Sequence, residues 1–160
     1  MAEKKKGDKQ QEDDLEINDY LVKQDEVILQ THERIHNDFS GKIQKMETGR
    51  VEVELETIKE MLADDLGLIH GGFVFCAADY AAMAAVNEKN VVLVATDCQF
   101  LSPVKLGDKV SFIATVRHKE GRKRNVNVEG YVHEIKVFEG VFKTVVTERH
   151  VLRLKLLDDE

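Results

Sequence analysis

The feature that most restricts this chain is the run 71–87, GGFVFCAADYAAMAAVN, which is apolar on every side apart from a single acid. It is too short to span a bilayer and is dominated by alanine, the best helix former. A helix that is apolar all round must be buried. Ala77, Ala78, Ala81, Ala82, Ala84 and Ala85 give it a surface on which other backbone can approach closely, as a sheet curved around it requires. The rest of the chain reads as that sheet. Residues 50–56 alternate strictly, with Val51, Val53 and Leu55 on one side and Arg50, Glu52, Glu54 and Glu56 on the other, which predicts a half-buried strand. Four β-rich runs follow the helix, 91–101, 109–118, 125–138 and 141–154, punctuated by Ser102-Pro103, Gly107-Asp108, Glu120-Gly121 and Glu139-Gly140. The links are too short for crossover helices, so the sheet is expected to be antiparallel. The outline is one strand, one buried helix and a four-strand meander, an α+β fold.

The composition of the whole 160-residue chain fits one domain, with one Pro, ten Gly and two Cys excluding collagen-like, low-complexity and disulfide-scaffold classes. Residues 1–14 contain no Val, Ile, Leu or aromatic side chain and are expected to be a disordered tail. They also lack the apolar stretch of a signal peptide, which predicts a cytoplasmic protein. From Leu15 to Phe39, Ile17, Leu21, Ile28, Ile35 and Phe39 recur mostly at helical intervals and predict a helical arm, assigned to 15–48 ahead of a domain at 49–157. The net charge of −7 disfavours nucleic acid as a partner. Cys76 and Cys98 lie in apolar stretches and read as reduced core thiols; without Cys or His at ligand spacing, no metal is expected.

Asp79 is the anomaly. It is the sole charged side chain between His70 and Glu88, and desolvation in such a helix raises a carboxyl toward the range of a general base. A satisfied structural Asp is the plain alternative. His70-Gly71-Gly72 immediately precedes the helix body, where two glycines allow close approach and unpaired N–H groups favour an oxyanion or a polarised carbonyl. Arg122-Lys123-Arg124, after Arg117-His118-Lys119, suits a small phosphorylated ligand, although a solvated hairpin tip would look the same. Phe73, Phe75, Tyr80 and Met83 are candidates to line an apolar tunnel or simply to fill the core.

HGGFVFCAADYAAMAAVN resembles the HGG-x6-D helix signature of hotdog-fold acyl-CoA thioesterases of the phenylacetate-pathway type, and FLSPVKLGDKVSFIATV resembles their Pro-x-x-x-Gly-Asp connection. The resemblance covers about residues 50–154. HGGFVF, VKLGDKV and GRKRNVNVEGYVHEIKVFEGVF are also similar to the effector domain of the malonyl-CoA-sensing repressor, which binds its ligand without hydrolysing it. Both imply a hotdog fold, a sheet wrapped around one central helix, that acts as a homodimer or dimer of dimers with an acyl-CoA ligand and no other cofactor. The thioesterase resemblance implies Asp79 as base or nucleophile, Gly72 N–H on the thioester carbonyl and His70 orienting the turn. Gly71, Phe73, Met83, Arg122, Lys123 and Arg124 are then expected to contact substrate. Hydrolytic relatives often carry Asn or Gln six residues before the motif His, where this chain has Asp64, and Thr96 and Asp97 are the nearest polar residues on the strand after the helix. The repressor resemblance implies a regulator instead, with the stripe Leu21, Ile28 and Ile35 of the arm meeting a protein partner or packing on its own dimer.

Overall fold

The computed structural model describes residues 26–154. Six strands form one antiparallel sheet, β1 (Lys42–Glu47), β2 (Arg50–Glu56), β3 (Val91–Phe100), β4 (Lys109–Glu120), β5 (Lys123–Val132) and β6 (Ile135–Val146). Their order across the sheet is β1-β2-β4-β5-β6-β3. A four-residue helix, α1 (Asn37–Ser40), precedes β1, and the long helix α2 (Gly71–Val86) lies against one face of the sheet. This is the hotdog fold. Among the described residues no helix is long and apolar enough to cross a membrane.

The core forms because alternate strand residues share one face. Val51, Val53 and Leu55 of β2, Val110, Phe112 and Ala114 of β4, Val126 and Val128 of β5 and Phe138 and Phe142 of β6 are all fully buried beneath Ala77, Ala78, Ala81, Ala82 and Ala84 of α2. Two mid-strand glycines are required by this packing. A Cβ on Gly130 would sit 2.9 Å from the Phe112 ring, and one on Gly140 would sit 2.7 Å from the Cys98 Cβ of the neighbouring strand.

Two expectations about the sheet are corrected. Glu139-Gly140 is not a turn, because Gly140 is in β6 where the close approach of β3 excludes a side chain. The chain reverses instead at His133-Glu134, between the paired residues Val132 and Ile135, with His133 in the left-handed region at φ 52°. The last four strands are not a simple meander, since β3 pairs with β6 at the sheet edge and residues 101–108 carry the chain across to β4. That link is held by Val104 O, which accepts from Ile69 N–H, and by Gly67 O, which accepts from Leu106 N–H.

The arm is corrected where it is described. Residues 42–47 form β1, whose bulge between Ile43 and Lys45 absorbs one residue, so the core-packed Ile43 and Met46 stand three apart as they would on a helix. Residues 26–36 are non-helical. Their backbone is drawn instead to the C-cap of α2, where Asn87 Oδ1 accepts from Gln30 N–H at 2.7 Å and Asn87 Nδ2 donates to Ile28 O at 2.9 Å. Of the proposed stripe, Ile28 is exposed and Ile35 packs on the core. Ile17, Leu21 and the 1–14 tail lie outside the described residues.

Candidate active site

His70 is the N-cap of α2. Its backbone N–H donates to Met61 O at 2.9 Å, and its Nδ1 accepts from Gly72 N–H at 2.8 Å. The neutral imidazole therefore carries its proton on Nε2. Gly72 has no room for a side chain, because a Cβ there would come within 2.7 Å of that Nδ1. Gly71 sits over the Phe100 ring of β3, and its N–H has no acceptor among the described residues. The first turn of the helix thus holds one open amide and one amide engaged by the His70 imidazole. Phe73 packs at 5.7 Å from Phe39 and edge-on to the His70 ring at 6.1 Å, so it steadies the motif histidine.

Asp79 lies two turns further on, on the helix face that also carries Gly72 and Phe75. This is the least covered face of a helix otherwise buried. Its Oδ1 is buried and has no hydrogen-bond partner. Burial pushes the carboxyl up to about 6. A carboxylate is thus held in reserve, ionised in large part at neutral pH and spent on no structural bond from that oxygen.

The opposing wall is β3. Residues directly opposite on antiparallel strands share a face, so Thr96, paired with Phe142, lies on the helix side, where Phe142 stacks on Phe75 at 5.6 Å. Asp97, paired with Val141, lies on the outer face, beside Glu129 and Glu139 around a cavity of about 270 Å³. Only Thr96 of the two polar candidates faces α2. Phe100 is half exposed, and its place against Gly71 was not anticipated from sequence.

The other candidates separate from this center. Met83 is 1% exposed and belongs to the core. Asp64 Oδ1 accepts from Leu66 N–H at 2.9 Å and Leu68 N–H at 3.1 Å, so it shapes the loop that delivers the chain to His70. Arg124 is buried and donates to Gly121 O and Lys123 O within its own hairpin, and Arg122 pairs with Glu148 at 2.6 Å. Lys123 is exposed. This hairpin lies toward the C-terminal end of α2: Val146 N–H donates to Arg122 O, and Val146 pairs with Val91, shortly after the helix. His70 and Gly71 are at the other end, beside Phe100. Cys76 and Cys98 are free and half-buried, with Cys76 Sγ 3.3 Å from Ser40 Oγ.

Comparison with known proteins gives one family match and several relatives of differing names. Residues 66–138 match the profile described as Thioesterase superfamily. A protein from Sulfurisphaera tokodaii named "Putative esterase" is 30% identical over 116 residues, covering 69% of this chain and 86% of that protein. Methylthioribose-1-phosphate isomerase of Aquifex aeolicus is 50% identical over 117 residues, 73% of this chain, but the chain spans just 26% of that protein. Transcription factor FapR of Staphylococcus aureus is 28% identical over 61% of this chain, which spans 55% of it. Among solved structures, an uncharacterized protein from Pyrococcus horikoshii has TM-score 0.77 at 47% identity, covering 79% of this chain and 97% of that one. The fold is shared with a Streptococcus mutans protein bound to acetyl-CoA (TM-score 0.66, 21% identity, 74% and 97% covered). It is shared too with a mutant of the phenylacetic acid degradation protein PaaI of Thermus thermophilus (0.63, 23%, 68% and 95%).

Proposed function

The chain belongs to the thioesterase superfamily, and from that premise we propose that it hydrolyses an acyl-CoA thioester to free acid and CoA in the cytoplasm. The observation that carries the reading is Asp79, an acid raised to about 6 with an unpartnered buried oxygen on the open face of an otherwise apolar helix. A carboxyl near that value is ionised at neutral pH yet basic enough to take a proton from water, or to attack the thioester carbon itself. The carbonyl oxygen is received at the first turn of α2. In this reading Gly71 N–H is the first donor, and Gly72 N–H, held by His70 Nδ1 in the free protein, becomes the second when the carbonyl displaces that ring.

One chain does not complete this site. Gly72 and Asp79 are seven residues apart, about 10 Å along the helix axis, so no single carbonyl carbon touches both. β3 is a ten-residue edge strand with Val94 and Phe100 well exposed. Pairing it with its equivalent in a second copy covers that edge and brings Asp79 of one chain toward the first turn of the other. A homodimer, alone or as half of a dimer of dimers, is the working unit of this reading.

The experiment is a panel of acyl-CoAs followed by release of free thiol, with Asp79→Asn beside wild type. Turnover by wild type that falls at least 100-fold in the variant, with ligand affinity within a few-fold, supports the reading. Equal turnover in both removes Asp79 from catalysis.

A second reading, a non-hydrolytic acyl-CoA-binding regulator working through a protein partner, draws on the occupied Gly72 N–H, the structural use of Asp64 and the likeness to FapR. It predicts tight acyl-CoA binding with no thiol release over hours.

A further inference from the structure

At the C-terminal end of α2, away from the His70 turn, a groove of about 570 Å³ opens between Lys89 and Asn90 on one side and Glu148, Arg149, His150 and Arg153 on the other. The two sides are far apart in sequence and are tied by Asn90. Its carbonyl accepts from Thr147 N–H at 3.1 Å, and its Nδ2 donates to Glu148 O at 3.3 Å. His150 caps the short turn Val151–Arg153, with Nδ1 accepting from Leu152 N–H at 3.1 Å, so Nε2 is the donor of the neutral ring.

Lys89, Arg149 and Arg153 face a single carboxylate, Glu148, and that carboxylate is already held by Arg122 at 2.6 Å. None of the three cations has an ion-pair partner among the described residues. In a chain of net charge −7, this is a local inversion of the overall field. Two guanidinium groups and an ammonium in one groove match phosphate oxygens, which guanidinium binds with paired, charge-assisted hydrogen bonds.

We propose that this groove binds the phosphates of the nucleotide half of a coenzyme A thioester. The proposal rests on the acyl-CoA reading above and changes where the nucleotide is held, from the Arg122-Lys123-Arg124 hairpin, whose guanidinium groups are committed elsewhere, to the groove beside it. The path is feasible in length. From Asp79 to the C-cap Asn87 is eight residues, about 12 Å along the axis, a distance that an extended pantetheine arm covers. Arg122, by pairing with Glu148, keeps that carboxylate from offsetting the charge of the three cations.

The test uses the full chain and 3′,5′-ADP, which carries the nucleotide phosphates without thiol or acyl group, with inorganic pyrophosphate as a second probe, both followed by calorimetric titration. Wild type is expected to bind 3′,5′-ADP more tightly than pyrophosphate, with affinity falling several-fold as salt rises. Arg149→Ala with Arg153→Ala weakens that binding at least tenfold and raises KM for acyl-CoA by a similar factor, leaving kcat and the turnover of an acyl-pantetheine unchanged. Thermal unfolding of the double variant near that of wild type keeps the comparison sound, and the single variant Lys89→Ala gives the same direction with a smaller effect. Equal 3′,5′-ADP binding by wild type and double variant overturns the proposal. So does an acidic phosphopantetheine carrier protein that binds through these residues while 3′,5′-ADP does not. Nucleotide binding without turnover of any acyl-CoA retains the groove and removes the hydrolase, whereas Asp79-dependent turnover indifferent to Arg149 and Arg153 retains the hydrolase and removes the groove.

Discussion

His70 Nδ1 accepts the Gly72 N–H at 2.8 Å, and the same nitrogen would lie 2.7 Å from a Cβ at position 72. The hydrogen bond and the missing side chain are one requirement: the imidazole can cap the helix only because residue 72 is glycine. Gly72→Ala is therefore expected to expel the ring from its cap and, by putting a methyl group beside the amide that receives the carbonyl, to lower kcat/KM for an acyl-CoA by 10-fold or more. The stability cost is that of a lost N-cap, about 1 kcal/mol. Thiol-release kinetics beside a denaturant titration check both, and unchanged kinetics would show that the cap has no part in catalysis.

Asp79 makes a prediction whose sign is opposite to that of a salt-bridged acid. Its folded-state value, about 6, is above the 3.8 of the free side chain. The native state therefore binds the proton more readily than the unfolded chain between these values, and stability contributed by the neutral form is lost as pH rises from about 4 to about 6. Asp79→Asn should stabilise the protein at pH 7, by about 1–3 kcal/mol on the roughly 1.4 kcal/mol per unit relation, while abolishing turnover. Wild-type kcat should fall below about pH 6 as the carboxylate is protonated. Denaturant midpoints at pH 4 and pH 7, with and without the substitution, test the linkage; a variant less stable than wild type at pH 7 would count against it.

Gly140 and Cys98 form a seam between β6 and β3 with no space for another carbon. Gly140→Ala is expected to destabilise by about 1–3 kcal/mol, as overpacking does, and Cys98→Gly in the same chain should recover part of the loss. Additive effects in that double-mutant cycle would mean that the two positions do not press on each other.

The edge of β3 is expected to pair with a second copy, giving a dimer by light scattering at micromolar concentration. Because a two-fold interface meets itself, Ala95→Glu near the strand center brings two carboxylates together and should dissociate the dimer. Activity should fall with it, although residue 95 faces away from α2. A wild-type monomer that hydrolyses acyl-CoA would sink the composite site.

The parts of the fold legible in the sequence were those set by local pattern. β2 alternates strictly and α2 is alanine-rich throughout, and both lie where composition placed them. β1 was hidden because its bulge spaces Ile43 and Met46 as a helix would. Gly140 read as a turn because a glycine needed for strand-to-strand contact looks in sequence like one needed for φ, whereas the true turn uses His133. The order of β3 and β6 was not legible, since it is decided by pairing over some fifty residues. At the site, Asp79 stood out because one acid in an apolar helix has few structural excuses. The groove of Lys89, Arg149 and Arg153 gave no signal, because its two sides meet only through Asn90 and the 147–148 backbone.

The placement of β3 has a kinetic side. Among the described residues its only strand partner is β6, and Val91 pairs with Val146, so its hydrogen bonds join segments up to some fifty residues apart. Contacts of such sequence separation are slow to form. During synthesis, which runs from the N-terminus, residues 91–100 have no strand of β6 to join until residues 138–146, which pair with them, follow. For that interval a ten-residue β segment bearing Val94 and Phe100 is open to any other unpaired edge. The sooner β6 follows, the shorter that exposure lasts.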